Sequence, residues 1–268
     1  MRSQNFLLAL LHQRHLCWRL SQREVSARYR GSAIGMAWSL INPLFMLAIY
    51  TFVFSTVFKS RWGNLEDAGP LGFAINLFVG LIVFNLFAEC VSKGPSLVLC
   101  RPNFVTKVVF PLEILPLVTV ASACFQALSS LAILGIFELI VIGRIPSSIL
   151  WLPLVWLPLI SCCLAAGWIL GAIGVYLRDL EQVTGVLLSA LMFMSAVFYP
   201  FSALPERWQP LLALNPLAVM IEQTRRVTIN GQQPDLSYLL FGSILGLGLC
   251  ELSYRIFQRA RRGFADVL

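Results

Sequence analysis

Charge is what this chain has least of. Only 12% of its 268 residues are Asp, Glu, Lys or Arg, while 58% are hydrophobic. A water-soluble domain carries about 25% charged residues. So few charges cannot cover a soluble surface, and the class is integral membrane protein. Lysine is scarcer still. Lys59, Lys93 and Lys107 follow Phe58, Ser92 and Thr106, whereas the phosphate-cradling loop G-x-x-x-x-G-K-[ST] needs glycine before its lysine. Any ATP-driven work therefore belongs to a partner subunit. The only histidines, His12 and His15, sit on the N-terminal segment and read as polar groups at headgroup level rather than catalysts. The cysteines at 17, 90, 100, 124, 162, 163 and 250 form no C-x-x-C pair. Most lie in apolar runs and read as small buried hydrophobes, without disulfide or metal. No catalytic residue and no bound cofactor is expected on this chain.

A long polar block is missing too, so no extramembrane domain of any size is expected. A signal peptide is not expected either. The apolar core FLLALL, residues 6–11, is short, and His12, Gln13 and Arg14 follow where small residues would be needed. The net charge of +7 comes from basic residues flanking apolar runs, which suits anionic lipid headgroups better than nucleic acid.

What the chain has is long apolar runs. Residues 31–58, 68–88, 114–137, 145–177 and 182–205 contain no Asp, Glu, Lys or Arg, and 236–254 contains only Glu251. A spanning helix needs ~20 mostly apolar residues. The reading is an all-α membrane protein with six spans, near 34–58, 70–92, 113–140, 148–177, 182–201 and 236–255, in one transmembrane domain over 31–268. Residues 1–30 are a separate element: Leu7, Leu10, Leu11, Cys17, Trp18 and Leu20 alternate with Arg14, Arg19 and Arg23, as in an amphipathic helix lying in an interface. Trp208–Ile221 is too short to span and is broken by Pro210 and Pro216. It reads as an outer re-entrant run, with Leu211, Leu212, Leu214, Asn215 and Pro216 as a candidate outer gate. With both termini inside, inner segments hold fourteen lysines and arginines and outer segments six, Arg225 and Arg226 among the latter. The bias towards the inner side is the expected one. Glu138 and Glu251 lie near span ends and read as carboxylates reaching the interface or capping partners.

One internal polar loop has length: LVLCRPNFVTKVVFPLEILP, residues 97–116. Its apolar and basic residues suit a short helix after Pro102. It is either a solvated connector or a docking element for a soluble partner. At this loop the sequence resembles the membrane subunits of ABC-2 type polysaccharide exporters, which move O-antigen, capsular polysaccharide and teichoic acid. The likeness is carried in order by RYRGSAIGMAWSLINPLFMLAIYTFVF (28–54), NFVTKVVFPLEILP (103–116), YLRDLEQV (176–183), FYPFSALPERW (198–208), LNPLAVMIEQTR (214–225) and the closing RRGFADVL. Leu112 departs from the family's frequent F-P-R-E-I-L-P, which leaves docking or gating near Glu113 open.

The resemblance implies a homodimer of membrane subunits in a bacterial inner membrane, with two copies of an ATPase subunit below that hold the ATP and magnesium. It implies that the loop carrying Arg101, Asn103, Phe104, Lys107 and Glu113 couples the ATPase to the channel. Arg28 and Arg30 resemble an entry site for the pyrophosphate of a polyprenyl-linked glycan, a contact that guanidinium geometry favours; ordinary basic flanking of a span is the other reading. Trp38, Tyr50, Phe198 and Tyr199 are candidate channel aromatics, or simply belt and packing residues. The function implied is export of lipid-linked polysaccharide, O-antigen first and capsule next. Alternatives are an exporter of drugs or small lipophiles and a proton-coupled carrier, although the spans offer no central carboxylate for a proton relay.

Overall fold

The computed structural model describes residues 13–53, 69–106, 110–141, 143, 145–201 and 205–267. Among these the structure is all-helical. Helix α1 is Arg14–Tyr29, α2 Trp38–Thr51, α3 Gly69–Lys93, α4 Asn103–Thr106, α5 Leu115–Val141 and α6 Leu152–Val155. Then follow α7 Leu157–Tyr176, α8 Leu180–Met194, α9 Gln209–Ala213, α10 Pro216–Thr228, α11 Leu236–Ala260 and α12 Phe264–Val267.

Four helical stretches, 71–93, 112–141, 147–176 and 236–263, are long and apolar enough to cross a bilayer. The first and fifth expected spans correspond to shorter apolar helices at 35–51 and 180–194. Residues 54–68, where the first expected span would end, lie outside the described residues. Helix α8 has 15 residues, which is ~22 Å at 1.5 Å per residue, against a hydrocarbon core of ~30 Å. It stops because the chain turns at Ala196, whose φ of 54° is left-handed and interrupts helical hydrogen bonding.

Helix α3 is the hub. Ile75, Leu77, Val79 and Val83 are fully buried, and α3 packs against α2, α5, α7, α8 and α10. A helix that is apolar all round belongs in the interior. Helices α5 and α11 instead keep exposed apolar stripes, such as Ile136 and Ile140 on one and Leu240, Phe241 and Ile244 on the other, which suits contact with lipid. Helices α7 and α11 pair closely. Gly242 and Gly246, four residues apart on α11, lie over Pro158 and Ser161 of α7, a spacing of small residues that lets membrane helices approach. The buried thiol of Cys250 donates to the Ser161 carbonyl at 3.1 Å, and all seven cysteines are free.

The two carboxylates near span ends behave differently. Glu138 does not reach an interface: it is buried on α5, and its Oε1 has no hydrogen-bond partner among the described residues. Glu251 accepts from Arg255 Nε at 2.6 Å, one turn along α11, so its charge is paired where α11 runs towards its end.

The loop after α3 presses directly on α7. A Cβ added at Gly174 would stand 2.1 Å from the Pro95 carbonyl oxygen. Backbone cannot step aside as a side-chain tip can. Gly248, by contrast, has nothing within 4 Å of an added Cβ. We expect Gly174→Ala to destabilise by about 1–3 kcal/mol through overpacking. Gly248→Ala should be neutral or slightly stabilising, because glycine inside a helix is unfavourable by roughly 1 kcal/mol. Thermal unfolding of the two detergent-purified variants checks this; equal Tm values would refute the close contact.

Candidate functional site

At the α1 end of the bundle a chain of charges joins three elements. Arg101, in the loop after α3, donates to Glu24 of α1 at 3.0 Å. Glu24 lies 3.9 Å from Lys93 at the end of α3. Lys93 donates to Glu89, one turn back, at 2.9 Å. Glu89 in turn pairs with Arg28 near the end of α1, and Arg28 also donates to the Ser122 hydroxyl of α5 at 3.2 Å. Arg30 is exposed. Helix α1 lies along α5. It turns Leu20 and Ser21 inwards and leaves Trp18 exposed.

The loop itself is fastened on a second side. Phe104 of α4 stacks on Phe110 with ring centroids 4.3 Å apart. Arg261, just beyond α11, donates to Glu113 at 2.5 Å and to the Phe110 carbonyl at 2.7 Å. Trp168 of α7 donates to the Glu113 carbonyl at 3.0 Å. Asn103 is exposed, while Leu112 is 2% exposed and belongs to the core. Lys107 lies outside the described residues.

Above Glu89 a groove of about 320 Å³ opens between α2, α3, α5 and α8. Its polar groups are Asn42, Asn85, Glu89, Gln126 and Ser130, and Tyr50 is part of its apolar wall. Gln126 is held at both ends. Pro43 inside α2 has no N–H to offer the Ser39 carbonyl four residues back, and Gln126 Nε2 donates there instead, at 3.3 Å. The Tyr29 hydroxyl donates to Gln126 Oε1 at 2.7 Å. Burial holds that phenol above its ordinary pKa, so it keeps the proton it donates.

At the opposite end, the turn after α8 is held by α10. Asn215 caps α10 by accepting from Leu217 N at 3.0 Å, with Pro216 in the first turn, a common helix start. Its amide also donates to the Met194 carbonyl at 3.0 Å and the Ser195 hydroxyl at 3.1 Å. Arg225, expected as an outer loop charge, is instead 1% exposed. It donates to the carbonyls of Asn76 at 3.1 Å, Ala196 at 2.9 Å and Val197 at 2.9 Å, and lies 3.7 Å from Glu222. Leu212 packs with Ala196 and Ala218, whereas Leu214 is 79% exposed. The side chain of Leu211 lies outside the described set. Phe198 stacks on Phe193 with centroids 5.4 Å apart, and the Tyr199 hydroxyl donates to the Phe193 carbonyl at 2.9 Å. Trp38 is half-buried at the start of α2.

Comparison with known proteins follows the same ground. Residues 15–229 match the family described as ABC-2 type transporter. The chain belongs to the ABC-2 type transporter family. It is 30% identical over 260 residues, 96% of both chains, to the O-antigen export system permease protein RfbA of Myxococcus xanthus. To an RfbA of Klebsiella pneumoniae it is 26% identical over 251 residues, 93% of both chains. To the polysialic acid transport protein KpsM of Escherichia coli it is 24% identical over 246 residues, 89% of this chain and 92% of that one.

In this ABC-2 chain the structure brings Arg28 and Arg101 into one charge network, and places Glu113 under Arg261. Sequence reasoning did not name Glu24, Glu89, Lys93 or Arg261 for this site, nor Arg225 for the other end. A signal existed for some of them. Asn85, Glu89 and Lys93 fall at four-residue steps on a mostly apolar helix, and Leu217, Ile221 and Arg225 fall at the same steps on α10.

Gly80 makes room for Arg225: an added Cβ would stand 2.8 Å from its Nη2. Arg225→Ala leaves buried carbonyls without their donor, at about 1–3 kcal/mol. Gly80→Ala alone should destabilise too, and should cost less, though not nothing, once Arg225 is alanine, because the Val197 carbonyl oxygen would still stand 3.2 Å from the added Cβ. A double-mutant cycle on Tm reads this coupling; simple additivity would contradict it.

Proposed function

We propose that this chain is the channel-forming membrane subunit of an ATP-driven exporter that moves lipid-linked polysaccharide across a bacterial inner membrane. The observation that carries the reading is the likeness to an O-antigen export permease along 96% of both chains. O-antigen is the first substrate class, because the RfbA proteins are more similar than the polysialic acid transporter. Capsular polysaccharide is the second. The chain acts as a homodimer on two copies of a separate ATPase subunit, which binds the nucleotide.

In this reading the α1 end faces the cytoplasm and both termini lie there. Helices α2 and α8 act as the first and fifth of six spans, and α9 with α10 re-enters the outer leaflet. The loop around α4 is the lever. Pressure from the ATPase on Phe104 and its neighbours passes to α1 through Arg101 and Glu24, and to the C-terminal segment through Arg261. The pyrophosphate of the carrier lipid meets Arg28. That arginine is engaged by Glu89, so the dianion must displace a carboxylate, an exchange of like for like in charge-assisted bonding. Tyr50, Phe198 and Tyr199 offer ring faces to the C–H faces of a passing glycan, with Trp38 at the entrance. Leu212 and the α8 turn form the outer closure.

Two experiments test this. Deleting the gene in its native host should abolish surface glycan, and Arg101→Glu supplied in its place should give weak export and weak co-purification of the ATPase. The pair is partly exposed and contributes only about 0–1 kcal/mol, so the variant should still insert. Glu24→Arg combined with Arg101→Glu should recover much of the loss. Normal export and normal co-purification in Arg101→Glu would overturn the lever. For orientation, a single cysteine at exposed Gln232, with the native cysteines replaced, should label only from outside the cell. Labelling only from the cytoplasm would overturn the six-span reading.

A further inference from the structure

We infer that the groove above Glu89 is a saccharide seat within a single subunit, holding the sugar unit next to the pyrophosphate of the carrier lipid. The inference rests on the polysaccharide-export reading and adds a place for the substrate inside it.

The argument starts from two amides. Asn42 and Asn85 are exposed, they line the groove, and they have no hydrogen bonds among the described residues. Both belong to apolar helices, where a polar group facing hydrocarbon is costly. Such groups are tolerated where they face a polar occupant. Gln126 is already engaged by Tyr29 and Ser39, so it shapes the groove, and the two asparagines are left to read what enters. An amide side chain both donates and accepts, which is what a hydroxyl needs. Apart from Glu89 and Ser130 the rest of the wall is apolar, including Met46, Tyr50 and Phe78. A sugar ring has the same division, with hydroxyls at its rim and C–H groups on its faces. The volume of about 320 Å³ lies at the lower end of small-ligand pockets, roughly 300 to 1,000 Å³, which suits one or two sugar units and no more.

Position supports the same occupant. Glu89 is in the groove lining and holds Arg28 and Lys93. Asn85 is one turn further along α3, about 6 Å at 1.5 Å per residue. A pyrophosphate replacing the Glu89 carboxylate would therefore leave its attached sugar beside Asn85. The groove lies between α2, α3, α5 and α8 of one chain.

The test is photo-crosslinking in the native host. A benzophenone amino acid replaces Asn85 or Asn42, and in a control it replaces Leu240, an exposed apolar residue of α11. After irradiation the denatured chain is purified and probed with a periodate-based glycan stain. Glycan-bearing adducts are expected from positions 85 and 42 and not from 240. Adducts holding phospholipid alone, or none at 85 and 42, overturn the seat. Asn42→Leu with Asn85→Leu should also slow export about tenfold, as expected for losing two ordinary hydrogen bonds, while insertion and ATPase co-purification stay normal. Unchanged export in that variant overturns the seat as well. The gene deletion separates the two levels. If surface glycan survives deletion, the export reading fails; if it is lost and the adducts still carry no glycan, only the seat fails.

Discussion

A backbone carbonyl that loses its helical partner in apolar surroundings must find another donor, because no water is there to replace it. The chain breaks regular helix at several places, and at each a side chain from far away in sequence supplies the missing bond. Gln126 serves the Ser39 carbonyl freed by Pro43. Arg225 serves the carbonyls of Ala196 and Val197 where α8 ends, and Asn215 serves that of Met194. Trp168 and Arg261 serve the carbonyls of Glu113 and Phe110 in the loop. The irregular segments are therefore tied to particular spans, and those ties decide which elements move together.

The charges follow a second constraint. Every cation drawn into the α1-end network has a carboxylate beside it, and the carboxylates Glu24 and Glu89 each serve two cations. A shared carboxylate makes a weaker hold on each cation than a private one. Such a network keeps α1, α3 and the loop in register while each of its ion pairs remains exchangeable.

Much of the fold was legible because the bilayer simplifies the code: length and absence of charge mark helices able to cross. The stretches at 112–141, 147–176 and 236–263 stand out this way in both sequence and structure. The cap that Asn215 makes on α10 emerges only with the structure, whereas the break at Pro216 was legible from residue type. Depth was not. Arg225 looks like a loop charge when counted by sign, since charge alone does not say which way a side chain faces. Its place on the apolar stripe with Leu217 and Ile221 holds that information, but only after the helix has been recognised. The partners of Arg101 and Arg28 were illegible for a different reason. Glu24 and Glu89 are 77 and 61 residues away in sequence, and only packing brings them near.

The two ends of the molecule differ in how freely they can rearrange. At the α1 end the bonds are ion pairs between partly exposed side chains, whose partners can be traded with water or phosphate at small net change. At the α10 end the arginine is fully buried and two of its bonds go to the Ala196 and Val197 carbonyls beyond the end of α8, so withdrawing it exposes their desolvation penalty. Motion of α10 away from the turn after α8 is therefore disfavoured, and rigid movement of α8, the turn and α10 together costs far less. The Arg225 contacts to Asn76 and past Gly80 add α3 to the same unit. Of the residues at that end, Leu214 is 79% exposed and outside this unit's contacts, whereas Phe198 and Tyr199 are tied to Phe193 of α8. Helix α3 is thus held at one end by exchangeable ion pairs through Glu89 and Lys93 and towards the other by the buried Arg225.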